Sequence, residues 1–284
     1  VRLASPLKID GRLDEAVYGE VASMSGFIQN DPKEGAPAEE KSEIWVFFDR
    51  DNVYVTCRCW ETHPERLVAN ELRRDNTAIA QGDNIAWSFD TFFDRRNNFL
   101  FEVSAAGGRM DAQVTDERQV AFDYNPIWQI KSGKFEGGWV IEAAIPFKSL
   151  RYKPGAIQTW GFQVRRRSNW RNETSYLSPV PSSVGLGGVL RSSLSAPMSG
   201  LEVPSGSRNL EIKPYAIANL TTDKTASRPL TNDPDGDFGI DVKYGVTQSL
   251  TADFTYNTDF AQVEADEQQV NLTRFSLFFP EKRD

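Results

Sequence analysis

Cysteine, histidine and methionine are scarce, at 2, 1 and 3 of 284 residues. Each shortage excludes a class of chemistry. Two cysteines cannot build a disulfide framework. Cys57 and Cys59 point to one face of a strand, where joining them to each other would need strained geometry. They read as small buried apolar side chains. A zinc site lacks further Cys or His ligands, because His63 stands alone. Haem ligation is disfavoured by the same shortage. A Ser-His-Asp arrangement would have to use His63, which has no nucleophile-elbow partner. No run is long and apolar enough for a transmembrane helix. No secretory leader is visible, and the chain opens on Val1, which is compatible with a leader already removed. Basic charge is also short: 32 Lys and Arg face 40 Asp and Glu, a formal net charge of −8. Such a surface repels phosphate backbones and anionic lipid, so nucleic acid is not an expected partner. Neutral sugars and cations such as calcium remain open.

What the chain has is strand pattern. Hydrophobic residues are 39% and aromatics 12%, enough for a sizeable core. Ile44–Phe48, Val53–Trp60, Asn84–Phe89, Phe99–Ser104, Met110–Thr115, Trp128–Lys131, Trp139–Ile145 and Trp160–Arg167 read as short strands. Turns at Asp49–Asn52, Asp94–Asn98, Ala105–Gly108 and Gly133–Gly138 separate them. This spacing predicts an all-β fold, an antiparallel β-sandwich, over residues 1–180. Residues 181–206, rich in Ser, Gly and Pro, read as a linker.

The pattern then changes. In Asp237–Val246 and Ser249–Asn257 apolar and polar residues alternate strictly, joined only by Thr247-Gln248, and Leu210–Leu220 is a looser third strand. Such alternation suits a barrel wall. It suits an ordinary sheet with one wet face equally well. Three strands cannot close a barrel, and the apolar run Phe275–Pro280 needs a partner surface, so a longer parent protein is expected.

Several segments carry a family likeness. Ile9-Asp10-Gly11-Arg12-Leu13-Asp14-Glu15-Ala16-Val17-Tyr18 resembles the IDGxLDExxW opening of family 9 carbohydrate-binding modules. Phe48-Asp49 with Asn52–Val55, Gly82–Ile85 with Phe89-Asp90, Gly138–Phe147 with Leu150, and Gly161–Val164 resemble later motifs of that family in the same order. The likeness spans residues 1–180. Downstream, Leu250–Asn257, Asp259-Phe260, Gln262–Asp266, Asn271–Thr273 and Phe278–Arg283 resemble a group of bacterial outer-membrane proteins in which such a domain precedes a β-rich region of unknown function. The resemblance implies a bacterial outer-membrane protein with the sandwich periplasmic or extracellular, and residues 207–284 as the start of a barrel. The sequons at Asn172, Asn219 and Asn271 mean little in that setting.

Family 9 modules are understood to hold sugars between two tryptophans. Of seven tryptophans, Trp45, Trp87, Trp139 and Trp160 sit within strand patterns and read as core. Trp60, Trp128 and Trp170 lie at strand or loop ends and are the candidates for a clamp; the plainer reading is that each caps the core. Arg165-Arg166-Arg167 departs from the family pattern. Arg165 and Arg167 share a face and could grip a carboxylate, favouring an acidic sugar; an edge strand protected by charge is the alternative. Calcium is often found in the family, and Asp90, Asp94 and Asn97 offer hard oxygen ligands, beside the plainer reading of an Asx turn. No motif singles out a carboxylate pair, so catalysis is not expected. Two functions follow: a non-catalytic module binding an oligosaccharide or polysaccharide, or a structural or gating domain that docks on its own outer-membrane barrel or a protein partner.

Overall fold

The computed structural model describes residues 1–153, 155–204, 210–224, 230–245 and 251–257. It has two compact units, Val1–Gly206 and Ser207–Asp284.

The first unit is a β-sandwich. One sheet of four strands has the order β2 (Ser42–Phe48), β3 (Asn52–Trp60), β9 (Gly138–Pro146), β8 (Gln129–Phe135). The other sheet has eight. Its path is β1 (Ile28–Asp31), β11 (Glu173–Tyr176), β10 (Ile157–Ser168), β4 (Asn84–Asp90), β5 (Asn98–Ser104), β6 (Arg109–Thr115), β7 (Gln119–Ala121), with β12 (Ala196–Glu202) also on β10. All ladders are antiparallel. Alternation sets the core. Val53, Val55, Cys57 and Cys59 face inward from β3 and meet Trp87, Phe89, Trp139, Trp160 and Phe162, all buried. Both cysteines are free thiols there, and Trp45, Trp87, Trp139 and Trp160 are buried as expected. The β8–β9 turn is shorter than the sequence suggests: Gly133 lies in β8, and only Glu136 and Gly137 connect the strands.

Each sheet also has its outer face covered. Over the four-stranded sheet, Leu3, Leu7, Ile9, Leu13, Val17, Tyr18 and Val21 pack on Trp45, Phe47, Tyr54 and Ala144. The segment holding them is irregular apart from one short helix, α1 (Val17–Glu20). Glu142, fully buried, ties it down: its carboxylate accepts the backbone N–H groups of Asp10 (2.9 Å), Gly11 (2.7 Å) and Arg12 (3.3 Å), and the Tyr18 hydroxyl (3.3 Å). The backbones touch here, since a Cβ on Gly133 would lie 1.9 Å from the Gly11 carbonyl oxygen.

Over the eight-stranded sheet lies the stretch expected to be a linker. Within it the chain forms 3-10 turns at Ser182–Leu190 and Ser192–Leu194 and then β12. Val180 and Val189 pack on Ala86, Leu100, Ala112, Val114 and Tyr176. The Asn98 amide donates to the Leu190 carbonyl at 2.9 Å and the Tyr176 hydroxyl to that of Gly185 at 2.7 Å. Small residues let the backbone approach the sheet closely; the composition that resembles a flexible tether is here the composition of a close-fitting cover.

In the second unit β13 (Leu210–Asp223), β14 (Leu230–Gly245) and β15 (Thr251–Tyr256) form an antiparallel three-stranded sheet. Its register puts Ile212 beside Val242 and Phe254, and Pro214 beside Ile240 and Tyr256. Lys213, Asp241 and Thr255 share a row on the other face. Ile212, Leu220, Phe238, Ile240, Phe254 and Tyr256 are exposed. Among the described residues the sheet is open, not a closed barrel. The connection expected at Thr247-Gln248 and the motifs from Asp259 onward lie outside the described residues.

Removing the Glu142 side chain strands three backbone donors and frees the covering segment. Glu142→Ala will lower the unfolding free energy by roughly 2–4 kcal/mol, read by urea denaturation, while Glu142→Gln, which keeps an acceptor oxygen, will lose less.

Candidate functional site

One end of the sandwich gathers residues 39–43, 60–66 and 169–173. It is held by Arg166, which faces the core from β10. Its guanidinium donates to the carbonyls of Lys41 (2.8 Å) and Trp60 (2.6 Å), the Ser42 hydroxyl (3.0 Å) and the Glu61 carboxylate (2.5 Å). The β10 strand is thereby pinned to the start of β2 and the end of β3. On this frame Trp60 and Trp170 are both half-buried. Arg171 ties Trp170 to the segments flanking Trp60: its guanidinium bonds Thr62 (2.8 Å) and Glu40 (2.8 Å), pairs with Glu39, and lies 4.3 Å from the Trp170 ring centre. Arg66 stands 5.2 Å from the same ring, and His63 meets its edge at 5.0 Å. Burial pushes the Glu40 carboxyl up, but its bonds from Thr62 and Arg171 more than reverse this and leave it below the usual range.

Beside Trp60, on the outer face of the four-stranded sheet, lies a second set. The Trp60 ring meets Phe135 edge-on at 4.9 Å and 87°. Its indole N–H donates to Glu43 at 3.3 Å, and Glu43 also pairs with Lys41 (2.8 Å) and Arg58 (3.5 Å). Phe135 escapes strand-pattern reading because it ends an edge strand among charged residues. The glycine pair after it, which lets the chain turn back beside Trp60, is the signal that could have found it.

The other sequence candidates fall elsewhere. Trp128 is 3% exposed and belongs to the core, with its ring 5.1 Å from Phe101 and 6.0 Å from Trp87. Its indole N–H donates to Asp111 at 3.0 Å, so no face is left for a ligand. Arg165 is 3% exposed. Its guanidinium is spent on Glu102 (2.6 Å), Asn84 (3.1 Å) and the Leu186 carbonyl (2.9 Å). The fork expected of Arg165 with Arg167 is therefore not formed, although Arg167 is half-buried on the same face. The alternative of a charge-protected edge also fails, because β10 is paired on both sides. Asp90, Asp94 and Asn97 make an Asx-type turn. Asp90 accepts the N–H groups of Asp94 and Arg95, and Asp94 those of Arg96 and Asn97 together with the Asn97 amide. Both oxygens of each carboxylate thus already serve the turn's own donors. Among the described residues no group of three His, Cys, Asp or Glu is placed to hold a metal.

A carbohydrate-binding module of family 9 from Caldicellulosiruptor kristjanssonii, solved in complex with glucose, is 17% identical, with a TM-score of 0.50 over 74% of this chain and 98% of its own. The cellotriose complex of a family 9 module from the same organism is 18% identical, with a TM-score of 0.49 over 73% of this chain and 93% of its own. At these identities the likeness is one of fold, and the first unit has the family 9 type of β-sandwich. Residues 207–284 match a family described as a domain of unknown function, DUF5916. No curated protein matches the chain.

Arg165→Leu leaves Glu102 buried without its partner and will cost roughly 3–5 kcal/mol in a denaturant titration, and adding Glu102→Leu will recover much of that. Burial first, and Asp75 to a lesser degree, push Asp111 up to about 6 against the opposing bonds from Trp128 and Arg74. The folded state therefore holds this proton where the unfolded chain has lost it. Asp111 contributes stability below its unfolded value near 4, and the contribution fades as pH rises to about 6. In melting curves from pH 4 to 7, the difference between wild type and Asp111→Asn will decline by on the order of 3 kcal/mol across that window.

Proposed function

We propose that residues 1–206 bind carbohydrate without cleaving it, in a protein of the bacterial outer membrane to which residues 207–284 contribute barrel wall. The observation that carries the first part is the end of the sandwich where two half-buried indoles, Trp60 and Trp170, stand among hydroxyl-binding side chains. An aromatic face accepts the C–H face of a sugar, and charged and hydroxyl groups at its rim take the ring's hydroxyls. Thr62, Arg171, Glu39 and Lys41 supply such groups here. The glucose seen in the family 9 module of the same fold supports this ligand class.

One observation favours a second reading, a structural or gating domain docked on a barrel or partner. Trp128 is sealed in the core, and the Trp170 ring is approached by both Arg171 and Arg66. Tryptophan emission of the whole chain, titrated with a panel of neutral and acidic oligosaccharides, decides between them. Saturable change with one sugar class, lost when Trp60 and Trp170 are both replaced by Ala, is the expected result. A flat response across the panel from folded protein gives the second reading.

For residues 207–284 the support is a sheet with one apolar, exposed face and one polar face, the pattern of a wall between lipid and water. Among the described residues no helix is long and apolar enough to cross a membrane, which says nothing of strands. In detergent-phase separation the chain will partition with the detergent, and Ile240→Asp with Phe254→Asp will move it to the aqueous phase. Unchanged partitioning of that variant counts against the barrel reading.

A further inference from the structure

The four-stranded sheet has an outer face that is covered over only part of its extent. The N-terminal segment packs on Trp45, Phe47, Tyr54 and Ala144. Trp60 and Phe135 lie outside that cluster and remain half-buried. They sit in one row of the sheet with Gly138 between them, opposite Trp60 on one side and Phe135 on the other. The missing side chain is what lets the rings meet: a Cβ on Gly138 would lie 2.8 Å from the Phe135 ring. Two aromatic rings at 87° form a corner. One pyranose can lie on one ring and abut the other, which a single flat ring does not offer.

The rim of this corner is charged. Lys41 Nζ is 5.8 Å from the Trp60 ring centre, and Lys41 and Arg58 flank Glu43. Glu43 is ionised: burial raises its carboxyl, and the bonds from Lys41 and Trp60 with the charge of Arg58 bring it below the usual range. The two-residue β8–β9 turn adds the exposed Glu136, while Lys134, paired with core-facing Trp139, points to the opposite face of β8. Two cations, Lys41 and Arg58, thus stand at the rim against the one anion between them, Glu43, on a chain of net charge −8. The ammonium of Lys41 has three donors and its side chain is 59% exposed, so Glu43 does not exhaust it. Arg58 reaches Glu43 only at 3.5 Å and keeps most of its five N–H donors.

We propose that the Trp60–Phe135 corner is the stacking site and that Lys41 and Arg58 select a pyranose bearing a carboxylate, so that the ligand class is a uronate-containing oligosaccharide. This rests on the carbohydrate-binding reading above and narrows it. It removes Trp170 from the stacking surface, because guanidinium groups already occupy its surroundings. Equatorial β-linkages keep the C–H faces flat enough to enter the corner.

The test uses the whole chain and two probes with the same ring stereochemistry: cellotriose, and the β-1,4-linked triglucuronate that differs in carrying a carboxylate at C6. Calorimetry at low salt will give an affinity for triglucuronate at least tenfold above that for cellotriose, and the gap will shrink as salt is raised. Trp60→Ala and Phe135→Ala will each weaken triglucuronate binding tenfold or more, with melting temperatures confirming that both variants fold. Lys41→Glu will weaken triglucuronate tenfold and leave cellotriose within twofold. Equal or tighter binding of cellotriose overturns the ligand class. Loss of binding in Trp170→Ala with retention in Trp60→Ala and Phe135→Ala overturns the location while leaving the carbohydrate reading intact. No binding of either probe, nor of any saccharide in the wider panel, sinks both.

Discussion

The guanidinium of Arg166, sealed between the two sheets, fixes the end of the molecule on which everything at the surface depends. Moving such a group out of water costs several kcal/mol, and burial is tolerated only when its donors are met. Four acceptors meet its two terminal NH2 groups, at the start of β2 and the end of β3: two backbone carbonyls, a hydroxyl and the Glu61 carboxylate. Because two of the four are backbone carbonyls, the bond fixes the path of the main chain at Lys41 and Trp60 and not merely a rotamer. Those residues bracket the aromatic corner, and the same strand runs on into Trp170 and Arg171. A hydrophobic residue at this position could fill the volume but could not set the register of β2 and β3 against β10.

A second buried charge does the same for the covering segment. Glu142 stands in the middle of β9, and its oxygens receive the turn at Asp10, Gly11 and Arg12. The two stretches that carry the family likeness most clearly, Ile9–Tyr18 and Gly138–Phe147, are therefore two halves of one contact. The glycine in the first is needed because the backbones touch, and the glutamate in the second because the turn leaves three N–H groups without partners. Both motifs are explained by folding alone.

The central strands were legible because an apolar residue at every second position, with a tryptophan or phenylalanine among them, leaves few alternatives. Trp87 and Phe89, or Trp160 and Phe162, declare their face without help. What was illegible depended on partners far along the chain. Arg165 reads as a surface charge until Glu102, 63 residues away, is placed opposite it. Trp128 reads as a loop-end aromatic until Asp111 receives its N–H. The 181–206 stretch has linker composition, and only the apolar face of Ala86, Leu100 and Ala112 on the sheet beneath, buried under Val189, shows why it must be covered. Asp90 and Asp94 offered the right atoms for a cation, but turn N–H groups claim the same lone pairs, and spacing alone does not distinguish the two uses.

Since the shared motifs are spent on the covering turn, the hairpins and the sheet register, their presence carries the fold from one protein to another without carrying a ligand. Trp60, Phe135, Lys41 and Arg58 lie outside them: none belongs to the buried core, yet the chain places two aromatic rings half in water with cations at their rim. Leaving two rings half in water on a sheet whose other aromatics are covered by the N-terminal segment forgoes burial worth about 25 cal/mol for each Å² of apolar surface. A fold that covers Trp45, Phe47 and Tyr54 with its own first 21 residues stops short of Trp60 and Phe135, and in the proposal made above a flat, partly apolar ligand restores that contact.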